Sequence, residues 1–156
     1  MRVVDFMSGI ITACAVGLVT VTCVDYYSEH HDEVVCLAQN IYFEAATEPA
    51  LGQIAVANVT MNRVKHKAFP DTVCNVVWEP KQFSWTHDGK SDKPEDRAAY
   101  KEIYKLAAKV YDGTIEDVTD GALFYHADYI KTPSWTKPMT KVGQIGHHIF
   151  YQHDGR

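Results

Sequence analysis

The chain has 156 residues, a length that fits one compact domain with a single hydrophobic core. Its formal net charge is −5, and this acidic balance excludes a general nucleic-acid binder, which needs a basic face against phosphates. Hydrophobic residues make up 46% of the sequence, which excludes a disordered chain, but they are unevenly distributed along it.

The N-terminus carries an apolar segment that predicts a membrane anchor. Residues 7–24 contain no charged side chain, and a helix of that length spans about 27 Å, close to the hydrocarbon thickness of a bilayer. Its glycines and threonines make insertion only marginally favourable. A lipoprotein signal ending at Cys14 and a buried core helix are the alternatives.

The anchor divides the chain into three parts. We expect a signal-anchor at residues 1–24, a connector at 25–33 and one domain at 34–153. Because the positive charge of Arg2 precedes the apolar segment, the domain is expected on the outer, periplasmic side of the cytoplasmic membrane.

The domain itself predicts an α+β fold, with helices first and strands last. Helical spacing and capping residues predict helices over residues 34–46, 47–64, 71–78 and 92–112, with caps at Thr47, Asp71 and Asp92. Aromatic and β-branched residues predict strands over residues 122–127 and 146–152. The expected architecture is therefore mostly helical, with a small C-terminal hairpin or sheet.

Glu44 is the leading candidate for chemistry. It continues the apolar row of Val34, Leu37 and Ile41 at helical spacing, so it lies on or beside the inward face of the first helix. Apolar surroundings raise the pKa of a carboxyl group, which suits a general acid that works near neutral pH. The alternative is a structural carboxylate that is satisfied by a helix N-terminus or by Arg63.

Aromatic residues in polar segments suggest a carbohydrate surface. Phe83 and Trp85 lie in a polar loop beside Gln82, and Trp135 lies between Ser and Thr. Exposed aromatic faces suit stacking on sugar rings, and a glutamine can hydrogen-bond to hydroxyl groups. The alternative is that these rings anchor the loops to the core.

The first predicted strand places a phenol and an imidazole side by side, at Tyr125 and His126. Either could lie in a cleft, although a buried histidine is more often structural. A zinc site built from His126, His148 and a carboxylate is the metal alternative. The sequence contains neither HExxH nor CxxC, and we expect no metal and no cofactor.

A series of ordered motifs resembles the SleB-type cell wall hydrolases. The motifs, in chain order, are CLA (36–38), NIYFEA (40–45), EP (48–49), GQIAVA (52–57), MNRV (61–64), FPDTVC (69–74), QFSW (82–85), YHA (125–127), PSW (133–135) and IGHHIFY (145–151). The resemblance covers about residues 35–151. One departure is Ala46-Thr47, where the family has Arg-Gly.

The resemblance implies a fold similar to lysozyme-like lytic transglycosylases, peptidoglycan as the substrate, and one catalytic glutamate that maps onto Glu44. Cleavage of the MurNAc–GlcNAc β-1,4 bond passes through an oxocarbenium-like transition state, and a hydrolase commonly uses a second carboxylate. None stands out here, since Glu48 precedes Pro49 and Asp88 lies in a loop. A lytic transglycosylase is therefore favoured, and a muramidase is the alternative.

We expect the glycan to bind in a groove. Its expected lining is aromatic, from Phe83, Trp85, Tyr125 and Trp135. Gln53, Gln82 and His126 are expected to hydrogen-bond to hydroxyl or N-acetyl groups of the glycan.

Two cysteines, Cys36 and Cys74, lie in the family motifs and are expected to form a disulfide, which fits an exported domain. Two buried thiols are the alternative.

The biological role suggested by a lysozyme-like domain behind a weak anchor is that of a phage endolysin of the signal-anchor-release type, acting as a monomer. A bacterial wall-remodelling enzyme, a zinc-dependent amidase or peptidase on the stem peptide, and a non-catalytic glycan-binding module are the alternatives.

Overall fold

A computed structural model of the protein describes residues 19–153. Residues 1–18, which make up most of the anchor predicted at residues 1–24, lie outside this range. Within the described range, no helix is both long enough and apolar enough to cross a membrane. The chain divides into two units, Met1–Asp32 and Glu33–Arg156. The second unit contains the hydrophobic core and the candidate site.

Four α-helices fall within the described range. They are α1 (Val19–Ala45), α2 (Ala50–Lys65), α3 (Val73–Val77) and α4 (Arg97–Tyr111). Two short 3-10 turns, Ser84–His87 and Ser134–Thr136, lie in the connecting loops. Helix α1 begins well before residue 34, because residues 25–33 include neither glycine nor proline and continue the helix.

Three helices begin at caps other than the predicted ones. Helix α2 begins at Ala50 after Pro49, which makes no side-chain cap hydrogen bond, and not after Thr47. Thr72 rather than Asp71 caps α3, and its side chain accepts a hydrogen bond from Asn75 N at 3.2 Å. Asp96 rather than Asp92 caps α4, and its carboxylate accepts bonds from the first free backbone N–H groups of the helix. Both are β-region residues with short polar side chains, as N-caps require.

The strands form one antiparallel sheet in the order β1-β3-β2, with β1 at Phe124–Ala127, β2 at Met139–Ile145 and β3 at His148–His153. Strand β2 was not predicted. It lies at an edge, its residues are partly or fully exposed, and its pairing with β3 is irregular between Lys141 and Gly143, so it lacks a clean alternation. The mostly helical α+β prediction with a small C-terminal sheet is confirmed.

The core lies between the helices and one face of the sheet. The main cluster is built on Leu37, Ile41 and Val77, and a second cluster packs Val59 of α2 against Phe150 of β3. The predicted disulfide between Cys36 and Cys74 is present and ties α1 to the first turn of α3. The main cluster and the disulfide thus hold α1 against α3, and Tyr125 of β1 packs against the same cluster.

Candidate active site

Glu44 lies one residue before the end of α1, where the helix meets the sheet. The preceding members of its helical row, Leu37 and Ile41, are fully buried, and Glu44 itself is half-buried. Its Oε2 atom accepts a hydrogen bond from the Tyr125 hydroxyl at 3.0 Å. This contact joins α1 to β1 across 81 residues of chain.

A groove runs past Glu44 and consists of three adjoining depressions. The first, of about 430 Å³, lies between the end of α1 and the loop that carries Asp88 and Glu95. The second, of about 270 Å³, shares Glu44 with the first and is also lined by Arg63 and Tyr125. The third, also about 270 Å³, extends the groove to Phe124, Trp135 and Met139. Glu44 therefore lies inside the groove, with binding surface on both sides.

Burial is the largest influence on the pKa of Glu44. Desolvation raises the pKa of this carboxyl, while the Tyr125 hydrogen bond and the positive charge of Arg63 lower it, and the net direction is upward. Burial and the charge of Glu44 together raise the pKa of Tyr125 well above its ordinary value, so its hydroxyl remains a donor. The pair thus presents a carboxyl that can hold its proton and a phenol that stabilises the carboxylate once the proton has left.

Arg63 of α2 lies under the groove. It is 5% exposed, and its Nε donates to the Leu123 carbonyl oxygen at 2.8 Å. Its guanidinium lies over three phenyl rings at 5.2–5.6 Å, those of Phe69, Phe83 and Phe124. The sequence suggested Arg63 only as a charge partner for Glu44. Its place in the groove depends on three rings, of which Phe83 and Phe124 are distant in sequence.

The predicted aromatic residues separate into two groups. Trp135 is 39% exposed and lines the third depression, as a stacking surface requires. Phe83 and Trp85 are buried, at 3% and 6% exposure, and form the floor of the groove rather than an exposed stacking surface. Trp85 stacks on Phe43 and donates its indole N–H to Asn40 Oδ1 at 3.1 Å, so it anchors the loop to α1.

Of the polar residues predicted to bind glycan, only Gln82 lines the groove, in the second and third depressions. The Gln53 amide instead donates to the carbonyl oxygens of Ala46 and Glu48, at 3.4 and 3.2 Å, and so holds the α1–α2 turn. The His126 Nε2 lies 3.0 Å from the Tyr151 hydroxyl, which satisfies the ring in the interior. The structure therefore places Gln53 and His126 outside the groove.

The zinc alternative built on two histidines is wrong for a topological reason. Tyr125 pairs with Phe150, and His126 pairs with Ile149. Since paired residues share a face and neighbours alternate, His126 and His148 lie on opposite faces of the sheet. Across residues 19–153 no group of three histidine, cysteine or acidic side chains could hold a metal ion.

Glu48 serves the fold rather than the groove. Helix α1 ends at Ala45, and the Glu48 Oε2 accepts the backbone N–H of His147 at 3.1 Å. The carboxylate thus holds the β2–β3 hairpin against the α1–α2 turn. It is not the second carboxylate that a glycoside hydrolase would use beside Glu44.

Several known proteins resemble this chain in sequence. A sequence profile of the Cell Wall Hydrolase family matches residues 47–151, which begins three residues after Glu44. Spore cortex-lytic enzymes of Halalkalibacterium halodurans and Bacillus subtilis are 33% and 32% identical over 80% and 77% of this chain. The chain spans 35% and 37% of the length of these two relatives.

Solved structures agree in fold. The catalytic domain of the Bacillus cereus SleB protein is 32% identical with a TM-score of 0.62, over 77% of this chain and 89% of that one. The catalytic domain of the germination-specific lytic transglycosylase SleB from Bacillus anthracis is 33% identical with a TM-score of 0.63, over 77% of this chain and 93% of that one. The fold, the ordered motifs and these matches together show that the chain belongs to the Cell Wall Hydrolase family.

Proposed function

We propose that this protein cleaves the MurNAc–GlcNAc β-1,4 bond of peptidoglycan as a lytic transglycosylase. The observation that carries the proposal is Glu44, a carboxyl with a raised pKa inside an open groove, held by the Tyr125 hydroxyl. A solved relative that shares the fold is named a lytic transglycosylase, which supports this reaction.

The proton path in this reaction begins and ends on Glu44. The protonated carboxyl donates its proton to the glycosidic oxygen as the C1–O bond breaks, and the departing sugar keeps that proton on its 4-hydroxyl. The Glu44 carboxylate then takes the proton of the substrate's own 6-hydroxyl, whose oxygen bonds to C1 and closes a 1,6-anhydro ring. Tyr125 stabilises the carboxylate between the two transfers, because a hydrogen bond to the charged form favours that form.

One catalytic carboxylate suffices for this route. Asp88 lines the same depression as Glu44, but its Oδ1 accepts Lys90 N at 2.8 Å and its Oδ2 lies 3.6 Å from Lys90 Nζ. Both oxygens of the Asp88 carboxylate therefore already interact with Lys90. Asp88 is therefore not free to activate water or to attack C1, as the second carboxylate of a muramidase must be, and Glu95 of the same depression is the carboxylate to test for that alternative.

The test is mass spectrometry of peptidoglycan digested by the wild type, by Glu44→Gln and by a control, Glu116→Gln, at an exposed position. We expect 1,6-anhydro muropeptides from the wild type and the control, and none from Glu44→Gln. Reducing MurNAc ends would instead assign a muramidase. Freed stem peptides would assign the amidase or peptidase alternative, and a biological activity that stays intact in Glu44→Gln would favour the non-catalytic glycan-binding module.

We also propose that the domain works outside the cytoplasm, tethered through residues 7–24, and serves as a phage endolysin. The Cys36–Cys74 disulfide supports export, because disulfides persist in oxidising compartments. The marginal apolarity of the anchor supports release from the membrane. Fractionation of expressing cells before and after collapse of the membrane potential tests this, since a protein that stays in the membrane under both conditions excludes release. Retention would favour a bacterial wall-remodelling enzyme.

A further inference from the structure

The guanidinium of Arg63 has unused hydrogen-bonding capacity. Its Nε bonds to the Leu123 carbonyl, but its Nη1 is buried and has no partner among the residues described. A buried N–H group without an acceptor costs free energy, and the cost is larger for a charged group. An acceptor supplied by a ligand would remove that cost.

The location of Arg63 determines which ligand could do so. It lines the second depression together with Glu44 and Tyr125, and the third together with Gln82 and Trp135. A sugar bound beside the Glu44 carboxyl therefore lies next to Arg63. Packing of the guanidinium against three phenyl rings holds it in place before any ligand arrives.

The surrounding charges indicate a neutral acceptor. Burial lowers the pKa of Arg63, while the charges of Tyr125, Glu79 and Glu44 favour its charged form. The Glu79 Oε2 atom is itself buried without a hydrogen-bond partner. A carboxylate ligand would meet the repulsion of Glu79, whereas an amide carbonyl brings only a dipole. The N-acetyl group of an amino sugar presents such a carbonyl.

We propose that Arg63 is a substrate-binding residue whose guanidinium donates a hydrogen bond to the N-acetyl carbonyl of the sugar bound beside Glu44. The inference rests on the proposed function and names a specificity determinant within it. A de-N-acetylated sugar offers no carbonyl and carries an ammonium group, which a guanidinium repels. Arg63 would therefore select N-acetylated glycan strands.

The experiment compares two substrates and three enzymes. Wild type, Arg63→Lys and the exposed control Arg97→Lys are assayed on N-acetylated glycan strands and on the same strands after chemical de-N-acetylation. We expect the wild type and the control to prefer the acetylated strands by about tenfold or more in kcat/KM. Arg63→Lys, which keeps the charge but loses the planar fork, should lose most of that preference.

Two results would overturn this inference and leave the proposed function standing. They are equal cleavage of both substrates by the wild type, and an unchanged preference in Arg63→Lys, which would make Arg63 a structural cation paired with Glu79. A wild type that cleaves neither substrate would overturn the proposed function, and the inference with it.

A second measurement does not depend on the folding of Arg63→Lys. In Glu44→Gln, the NMR signals of the Arg63 guanidinium should shift when an N-acetylglucosamine oligomer is added, and the glucosamine oligomer should leave them in place. Unchanged signals in the presence of saturating N-acetylglucosamine oligomer would overturn the assignment.

Discussion

Gly146 offers the most direct test of how the fold supports the groove. It occupies the turn between β2 and β3 with φ +56°, a left-handed conformation that glycine adopts without strain. A Cβ atom at this position would lie 1.9 Å from the Glu48 Oε2. Gly146→Ala therefore forces the Glu48 carboxylate away from the His147 N–H that it accepts at 3.1 Å.

The cost of this substitution has two parts. A left-handed backbone costs an alanine about 1–2 kcal/mol. Loss of a hydrogen bond to a charged acceptor costs about 1.5–3 kcal/mol. Gly146→Ala should therefore lower the free energy of unfolding by about 2.5–5 kcal/mol.

Urea unfolding followed by tryptophan fluorescence measures this loss, with two comparisons. Gly89 also has a left-handed φ, +75°, but no atom lies within 4 Å of its would-be Cβ, so Gly89→Ala should lose only about 1–2 kcal/mol. In a Glu48→Ala background the clash is absent, and the added cost of Gly146→Ala should fall to the same range. If Gly146→Ala costs no more than Gly89→Ala, the Glu48 contact does not hold the hairpin.

Three further outcomes follow from the site and the disulfide. Tyr125→Phe removes a hydrogen bond that lowers the pKa of Glu44, so the alkaline limb of the pH–rate profile should move to higher pH, and the exposed-site variant Tyr129→Phe should leave it unchanged. Burial raises the pKa of Glu44 above its ordinary value of 4.5, so the stability it contributes is present below that value and is lost as pH rises through the folded pKa. As pH rises from 4.5 to the folded pKa of Glu44, the Tm of Glu44→Gln minus the Tm of the wild type should therefore increase. A difference in Tm that does not change with pH would contradict the burial argument. Reduction of Cys36–Cys74, with a sequence separation of 38, should lower the free energy of unfolding by about 4 kcal/mol in denaturant titrations with and without reductant.

The position of Glu44 could be predicted from the sequence because helical periodicity is local. Its spacing from Leu37 and Ile41 placed it beside the buried row, and the structure finds it half-buried there. The same reasoning predicted the order of helices and strands. It could not predict β2, because an exposed edge strand with irregular pairing has no strong hydrophobic pattern.

The orientation of the groove aromatics could not be predicted, because their partners are distant in sequence. Trp85 turns inward because Asn40, 45 residues earlier, accepts its indole N–H. The sequence also could not decide between Tyr125 and His126, since neighbouring strand residues face opposite sides and only the pairing with β3 shows which side meets α1. The place of Arg63 in the groove could not be predicted for the same reason, because Phe83 and Phe124 pack on its guanidinium from distant parts of the sequence.

Digestion of peptidoglycan in water labelled with the heavy oxygen isotope tests most directly whether Glu44 drives cleavage without hydrolysis. We expect the wild type to produce anhydro ends that contain no label, because the 6-hydroxyl and not water attacks C1, and we expect Glu44→Gln to produce no new ends. Labelled reducing ends from the wild type, or unlabelled anhydro ends from Glu44→Gln, would contradict the mechanism.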